Sequence, residues 1–202
     1  GSEVSQCGNG ARCVGLYLDK KHNAVQRKWR LRTVNSFLDV VNKRDQLYEV
    51  SIPAPLFDHA SIPTTLQYEG LLGDVTYDGK SYQFSLANVG NPHICLVEEA
   101  GCDYDYEAMG RVLSIKPCFP EGVNVGFLQL ESRSSLRLRV YERGAGMTEA
   151  CGSGACAAVY AAWKKGIIEN NAEVKLEKGS LHINIINNEA IMTGPAEISY
   201  QG

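Results

Sequence analysis

The 202 residues are 44% hydrophobic and 21% charged, ordinary for a globular chain with room for one large or two small domains. A net charge of −3 gives no basic footprint for nucleic acid, and no apolar run is long enough to cross a bilayer. Seven cysteines, an odd count with no basic-then-apolar export segment before them, point to free thiols in a reducing, cytoplasmic setting.

The chain opens on Cys7-Gly8-Asn9-Gly10-Ala11. A helix is predicted over residues 9–19, with Asn9 as a good N-cap and the polar cluster 19–23 as its end. Residues 28–34, 37–41 and 47–52 read as strands, rich in β-branched and aromatic residues, with a turn at 42–45. Pro53, Pro55 and Pro63 flank an irregular link and mark the best candidate for a domain boundary. Strands are then predicted at 64–69, 73–77 and 82–88, the last two joined by the hairpin signal Asp78-Gly79. A strand at 94–97, a helix at 104–113 and strands at 123–130 and 136–141 follow. A second glycine turn, Cys151-Gly152-Ser153-Gly154-Ala155, leads into an alanine-rich helix ending near Trp163, with Ser153 as the predicted cap. Strands at 173–176, 181–186, 190–193 and 196–200 close the chain. Many short strands around two helices give an α+β fold, mostly antiparallel.

The two glycine turns align residue by residue at an offset of 144, from 151 minus 7. An internal repeat of this kind predicts two related lobes, each offering a cysteine just before a helix N-terminus. The macrodipole and free N–H groups of such an end favour an anion, so each thiol is expected to sit below its usual pKa. Two thiols on opposing helix ends can work as a base and an acid on opposite faces of one carbon, which inverts a stereocentre. The same helix ends can hold a carboxylate. His93, which follows Asn91-Pro92, and Glu142, at the end of a strand, are the candidate partners for the thiols. No ligand spacing supports a metal site.

Six segments carry a family resemblance in the family's order: 7–12, Gly90-Asn91-Pro92-His93, Asn124-Val125-Gly126-Phe127, Val140 to Gly146, 150–155, and Met192-Thr193-Gly194-Pro195-Ala196. Together they resemble diaminopimelate epimerase, a cofactor-independent amino-acid epimerase. The resemblance implies two pseudo-symmetric lobes, each a β-barrel-like sheet around a central helix. Residues 1–51, with 196–202 returning to them, would be what remains of the first lobe, and 52–195 the second. It implies that Cys7 and Cys151 interconvert L,L- and meso-diaminopimelate, with His93 serving Cys7 and Glu142 serving Cys151. Gly8, Asn9, Gly152 and Ser153 would hold the α-carboxylate. Asn91, Asn124, Glu142 and Arg143 would fix the distal end. No cofactor and no membrane or nucleic-acid partner is implied, and a homodimer is common for such enzymes. The family also has a segment ahead of this chain, roughly 65 residues on a length comparison. On that ground the chain alone is expected to have little or no activity. A proline or hydroxyproline racemase of the same fold, and a catalytically silent binding module, are the alternative readings.

Overall fold

The structure, a computed structural model, describes residues 7–23, 28–34, 37–44, 46–52, 62–69, 72–99 and 102–199. The first elements are α1 (Gly8–Lys21), β1 (Lys28–Arg32), β2 (Phe37–Arg44) and β3 (Leu47–Ile52). Then come β4 (Tyr68–Glu69), β5 (Leu72–Tyr77), β6 (Lys80–Asn88), β7 (Pro92–Val97), α2 (Tyr106–Ser114), β8 (Asn124–Ser132) and β9 (Ser135–Glu142). The chain finishes with β10 (Gly146–Thr148), α3 (Gly152–Lys164), β11 (Asn171–Leu176), β12 (Gly179–Ile186) and β13 (Glu189–Pro195).

The strands form one sheet in the order β1-β2-β3-β13-β12-β11-β9-β8-β7-β6-β5-β4, with β10 paired to β9 alone. Two pairs are parallel, β7 with β8 and β9 with β11, and the others are antiparallel. Parallel neighbours need a crossover, and α2 supplies the first while β10 and α3 supply the second. The α+β reading holds. Among the described residues the sheet is not closed, because β1 and β4 are open edges.

The helices sit where their sequences allow. The buried residues of α1 are Gly8, Ala11, Arg12, Gly15, Leu16 and Asp19, a stripe at helical spacing that lies on β2, β3 and β13. A Cβ at Gly15 would stand 2.7 Å from Val40 Cγ1, so only glycine lets α1 approach β2 this closely. From Gly154 to Ala162, α3 is buried on every side, and the strands from β6 to β13 curl around it, apart from β10. A helix that is apolar all round belongs in a core. One apolar cluster joins α1, β2, β3 and α3; a second gathers α2 with β5, β6, β7 and β8.

Several elements depart from the sequence expectation. Residues 196–199 form no strand: Ala196 N donates to Gln46 O at 3.0 Å, and β3, the partner, begins at Leu47 opposite Pro195. Among the described residues the ladder goes no further. The strand expected at 64–69 shrinks to Tyr68–Glu69. Thr64 and Thr65 instead bond to the Cys118 carbonyl, at 2.8 and 3.0 Å. β2 runs to Arg44 through a register shift at Asn42 and Arg44, where the sequence suggested a turn. The expected link at 53–61 lies outside the described residues.

Asp19 closes the far end of α1. Its buried carboxylate accepts from Trp29 Nε1 at 2.7 Å, from Tyr48 Oη at 2.9 Å and from Asn42 Nδ2. The site is built for an acceptor. Asp19→Ala is expected to cost about 1–3 kcal/mol, because it removes the acceptor that those three donors share. A denaturant melt checks it, with an unchanged midpoint as the contrary result.

Candidate active site

Both helix starts are built the same way, and neither is capped as the sequence suggested. The N-cap of α1 is Cys7, whose sulfur accepts from Gly10 N at 3.3 Å. The N-cap of α3 is Cys151, whose sulfur accepts from Gly154 N, also at 3.3 Å. The glycines allow this: a Cβ at Gly10 or Gly154 would sit 3.2 Å from its capping sulfur. Asn9 and Ser153, the expected caps, lie within the first turn. Ser153 Oγ is 3.5 Å from Cys151 Sγ.

The two helix starts meet. Asn9 Nδ2 donates to Ala150 O at 3.2 Å, and a Cβ on Gly152 would stand 2.9 Å from Asn9 Oδ1. Met192 lies between them. Its Cε would be 2.5 Å from a Cβ on Gly8, and its Sδ 3.0 Å from one on Gly152. Arg12 supports the joint from below, donating through Nε to Pro195 O at 3.1 Å and through Nη1 to Met192 Sδ at 3.5 Å. Cys7 and Cys151, distant in sequence, thus cap adjoining helix ends. Cys151 is buried; Cys7 is exposed.

Glu142 stands beside Cys151. Burial first, and then the Glu142 carboxylate, push the thiol up to about 11. This reverses the expectation of a lowered pKa at this helix end. The helix start contributes one N–H to the sulfur, which burial and a neighbouring negative charge outweigh. Cys151 is therefore protonated near neutral pH. Thr148 Oγ1 donates to Glu142 Oε1 at 2.6 Å.

His93 lies two strands from Glu142 in the sheet, on β7, and is fully buried. Its Nε2 meets Asn91 Oδ1 at 3.0 Å. With an amide oxygen as the partner, Nε2 carries the proton and Nδ1 the lone pair. Nδ1 is buried with no hydrogen-bond partner among the described residues. Burial, with the Arg143 charge, pulls His93 down to about 3, so the ring is neutral at physiological pH. It can accept a hydrogen bond from a thiol without retaining the proton. Among the described residues it shares no hydrogen bond with Cys7.

Asn124 neighbours His93 across the parallel pair. Its amide donates to Pro92 O at 2.9 Å and accepts from Arg143 N at 2.9 Å, tying β7, β8 and the end of β9 together. Arg143 begins the turn after β9, where Gly144 and Gly146 take φ of 80° and 86°, values that glycine adopts without strain. One guanidinium nitrogen, Nη1, donates to the carbonyls of Glu121 and Gly122. The structure thus brings Glu142 to Cys151, and Asn91, Asn124 and Arg143 to His93. A cavity of about 440 Å³ lies by Tyr106, Met147 and Thr148, and one of about 610 Å³ by Cys13, Tyr17 and Ile198; neither is lined by Cys7 or Cys151.

A family model described as diaminopimelate epimerase matches residues 85–199, which include His93, Glu142 and Cys151. Diaminopimelate epimerases of Psychrobacter arcticus and Stutzerimonas stutzeri are 36% and 37% identical over all of this chain, which covers 70% and 74% of their lengths. The chain belongs to the diaminopimelate epimerase family. Its named relatives are isomerases. Among solved structures, a hydroxyproline epimerase from Agrobacterium vitis superposes with a TM-score of 0.68 at 15% identity, over 94% of this chain and 64% of its own. A phenazine biosynthesis protein of the PhzF family from Enterococcus faecalis gives 0.62 at 15%, over 98% and 72%. At such identities the likeness is one of fold.

In this member of the diaminopimelate epimerase family, three groups near the cysteines escaped the sequence reading. Met192 joins the helix starts, Arg12 backs it, and Thr148 holds Glu142. Met192 lay inside a quoted motif, but nothing in its residue type signals a joint. Thr148 fell between the segment ending at Gly146 and the glycine turn at Cys151, in no predicted element.

Proposed function

We propose that this chain carries the acid/base pair of a cofactor-independent epimerase that interconverts L,L- and meso-diaminopimelate, for lysine and peptidoglycan precursors in the cytoplasm. The observation that carries the proposal is the pair of cysteine-capped helix starts joined at Asn9, Ala150 and Met192. One thiolate takes the α-hydrogen as a proton, and its bonding pair stays on the α-carbon. The free N–H groups of both helix starts hold the α-carboxylate into which that charge spreads. The opposite thiol then delivers a proton to the other face. Cys151, protonated at rest, suits the donor role when L,L-diaminopimelate enters and Cys7 abstracts. Glu142 receives the Cys151 proton when the meso isomer enters. His93, through its unpartnered Nδ1, orients the Cys7 side.

Gly8, Asn9, Gly152 and Ser153 form the α-carboxylate end in this reading, with Asn91, Asn124 and Arg143 towards the distal end. The exposure of Cys7, and a length about 70% that of the relatives, support the further reading that these 202 residues alone turn over little substrate.

Proton exchange in heavy water tests the proposal, on this chain and on a version extended to the relatives' length. The extended protein is expected to wash deuterium into one α-position of diaminopimelate while forming the other diastereomer, with the short chain far slower. Exchange into L-proline instead would favour a racemase of the same fold. Binding without exchange would favour a silent module.

A further inference from the structure

We propose that Thr148 is a positioning residue for the second acid/base pair: its hydroxyl holds the Glu142 carboxylate against Cys151. This rests on the epimerase reading and adds a third group to it. β10 is three residues long and pairs only with β9, with Thr148 opposite Val140 and therefore diagonal to Glu142 on one face. That face points at the start of α3, because Val140 Cγ2 would touch a Cβ on Gly154 at 2.9 Å. The 2.6 Å bond from Thr148 is short, as expected for a hydroxyl donating to an ionised carboxylate.

Glu142 needs the anchor. It is only half-buried, on a long side chain that water would otherwise draw outward. Among the described residues, Thr148 Oγ1 is the hydrogen-bond partner of its carboxylate, whose charge acts on the Cys151 thiol. A hydroxyl also suits both protonation states: it donates to the carboxylate and, after rotation, accepts from the carboxylic acid. The contact can therefore persist while Glu142 takes and returns a proton.

The groups that face Cys151 are few. Glu142 comes from β9, Ser153 Oγ and Gly154 N from α3, Cys95 from β7, and Cys156 from the next turn of α3. Burial keeps Cys95 and Cys156 neutral. The charge acting on Cys151 is thus that of Glu142. If the carboxylate swings away, the thiolate is disfavoured less and the Cys151 pKa falls.

The test reads thiol alkylation against pH, resolved by peptide mass, in the 202-residue chain, so it needs no turnover. Thr148→Val and Glu142→Gln are each expected to lower the Cys151 midpoint by about one pH unit, a roughly tenfold faster reaction below it. Thr148→Ser restores the wild-type midpoint, which a merely structural role for the residue would not require. Thr148→Ala gives the same reading if valine strains the hairpin, and an unchanged Cys7 profile and thermal melt report an intact fold. A shift with Glu142→Gln but none with Thr148→Val or Thr148→Ala would overturn the Thr148 proposal alone. No shift with any variant would also remove the Glu142–Cys151 pairing from the epimerase reading.

Discussion

Replacing Cys151 by alanine is expected to slow epimerisation in the extended protein on the order of 10² to 10⁴-fold, and Cys7→Ala to do the same. In the proposed mechanism each sulfur addresses one face of the α-carbon, and no neighbour takes its place. Near Cys151 the other hydrogen-bonding side chain of α3 is Ser153, and its hydroxyl is far too weak an acid to supply a proton at neutral pH. The equilibrium constant between two diastereomers belongs to the substrate. The loss in kcat/KM must therefore be equal in both directions, whichever cysteine is removed.

The variants separate in isotope exchange. Cys151→Ala keeps Cys7, which can still abstract from the L,L isomer and return a solvent proton to the same face. It should wash deuterium into L,L-diaminopimelate with retention and leave the meso isomer alone; Cys7→Ala should show the reverse. Full activity in either variant, or exchange with inversion in both, would remove the two-cysteine mechanism.

The elements that could be read from the chain are those with a strong local signal. The helices around Ala11 and Ala157 announced themselves by glycine turns, the second also by an alanine-rich run, and β3 by its alternation, reproduced at Leu47–Ile52. Where local rules failed, a tertiary contact decided. Ser153 and Asn9 are better caps by residue type than cysteine. The sulfurs took the position because glycine three residues on lets the backbone close over them. β10 was invisible because three residues carry no periodicity, and it exists only as a partner for β9. The expected strand at 196–200 fails in its described part: its composition suits a strand, but among the described residues its backbone pairing ends with Ala196 N on Gln46 O.

The pKa of Cys151 illustrates the same limit within the site. A thiol before a glycine turn reads as lowered, because sequence reveals the helix end and offers Glu142 as a partner, but shows neither the depth of burial nor how closely that carboxylate approaches. Both of those are three-dimensional facts, and they set the sign. His93 is similar: the proline before it was legible, and the burial that keeps it neutral was not.

The largest stability effect is expected at Gly110. Glycine inside a helix is costly, and alanine there would ordinarily gain about 1 kcal/mol. At this position a Cβ would lie 2.5 Å from Tyr141 Cβ and 2.6 Å from Tyr141 Cγ. Tyr141 Cβ is fixed to the backbone of β9, so no rotamer change relieves the contact, and α2 must lift from the sheet. Lifting it loosens Met109 and Leu113, both buried in the second apolar cluster. The overpacking term exceeds the helix-propensity gain, and Gly110→Ala should lose about 3 kcal/mol net, a fall of about 6–12 °C in Tm for a chain of this size. Val112→Ala, on the exposed side of the same helix, should stay within about 0.5 kcal/mol. β9 takes a smaller share of the strain through Tyr141, which directly precedes Glu142, so Gly110→Ala should also lower the alkylation midpoint of Cys151, which a purely global loss of stability would not do. A Gly110→Ala protein as stable as wild type would mean that α2 does not rest on β9 as closely as the Gly110–Tyr141 contact requires.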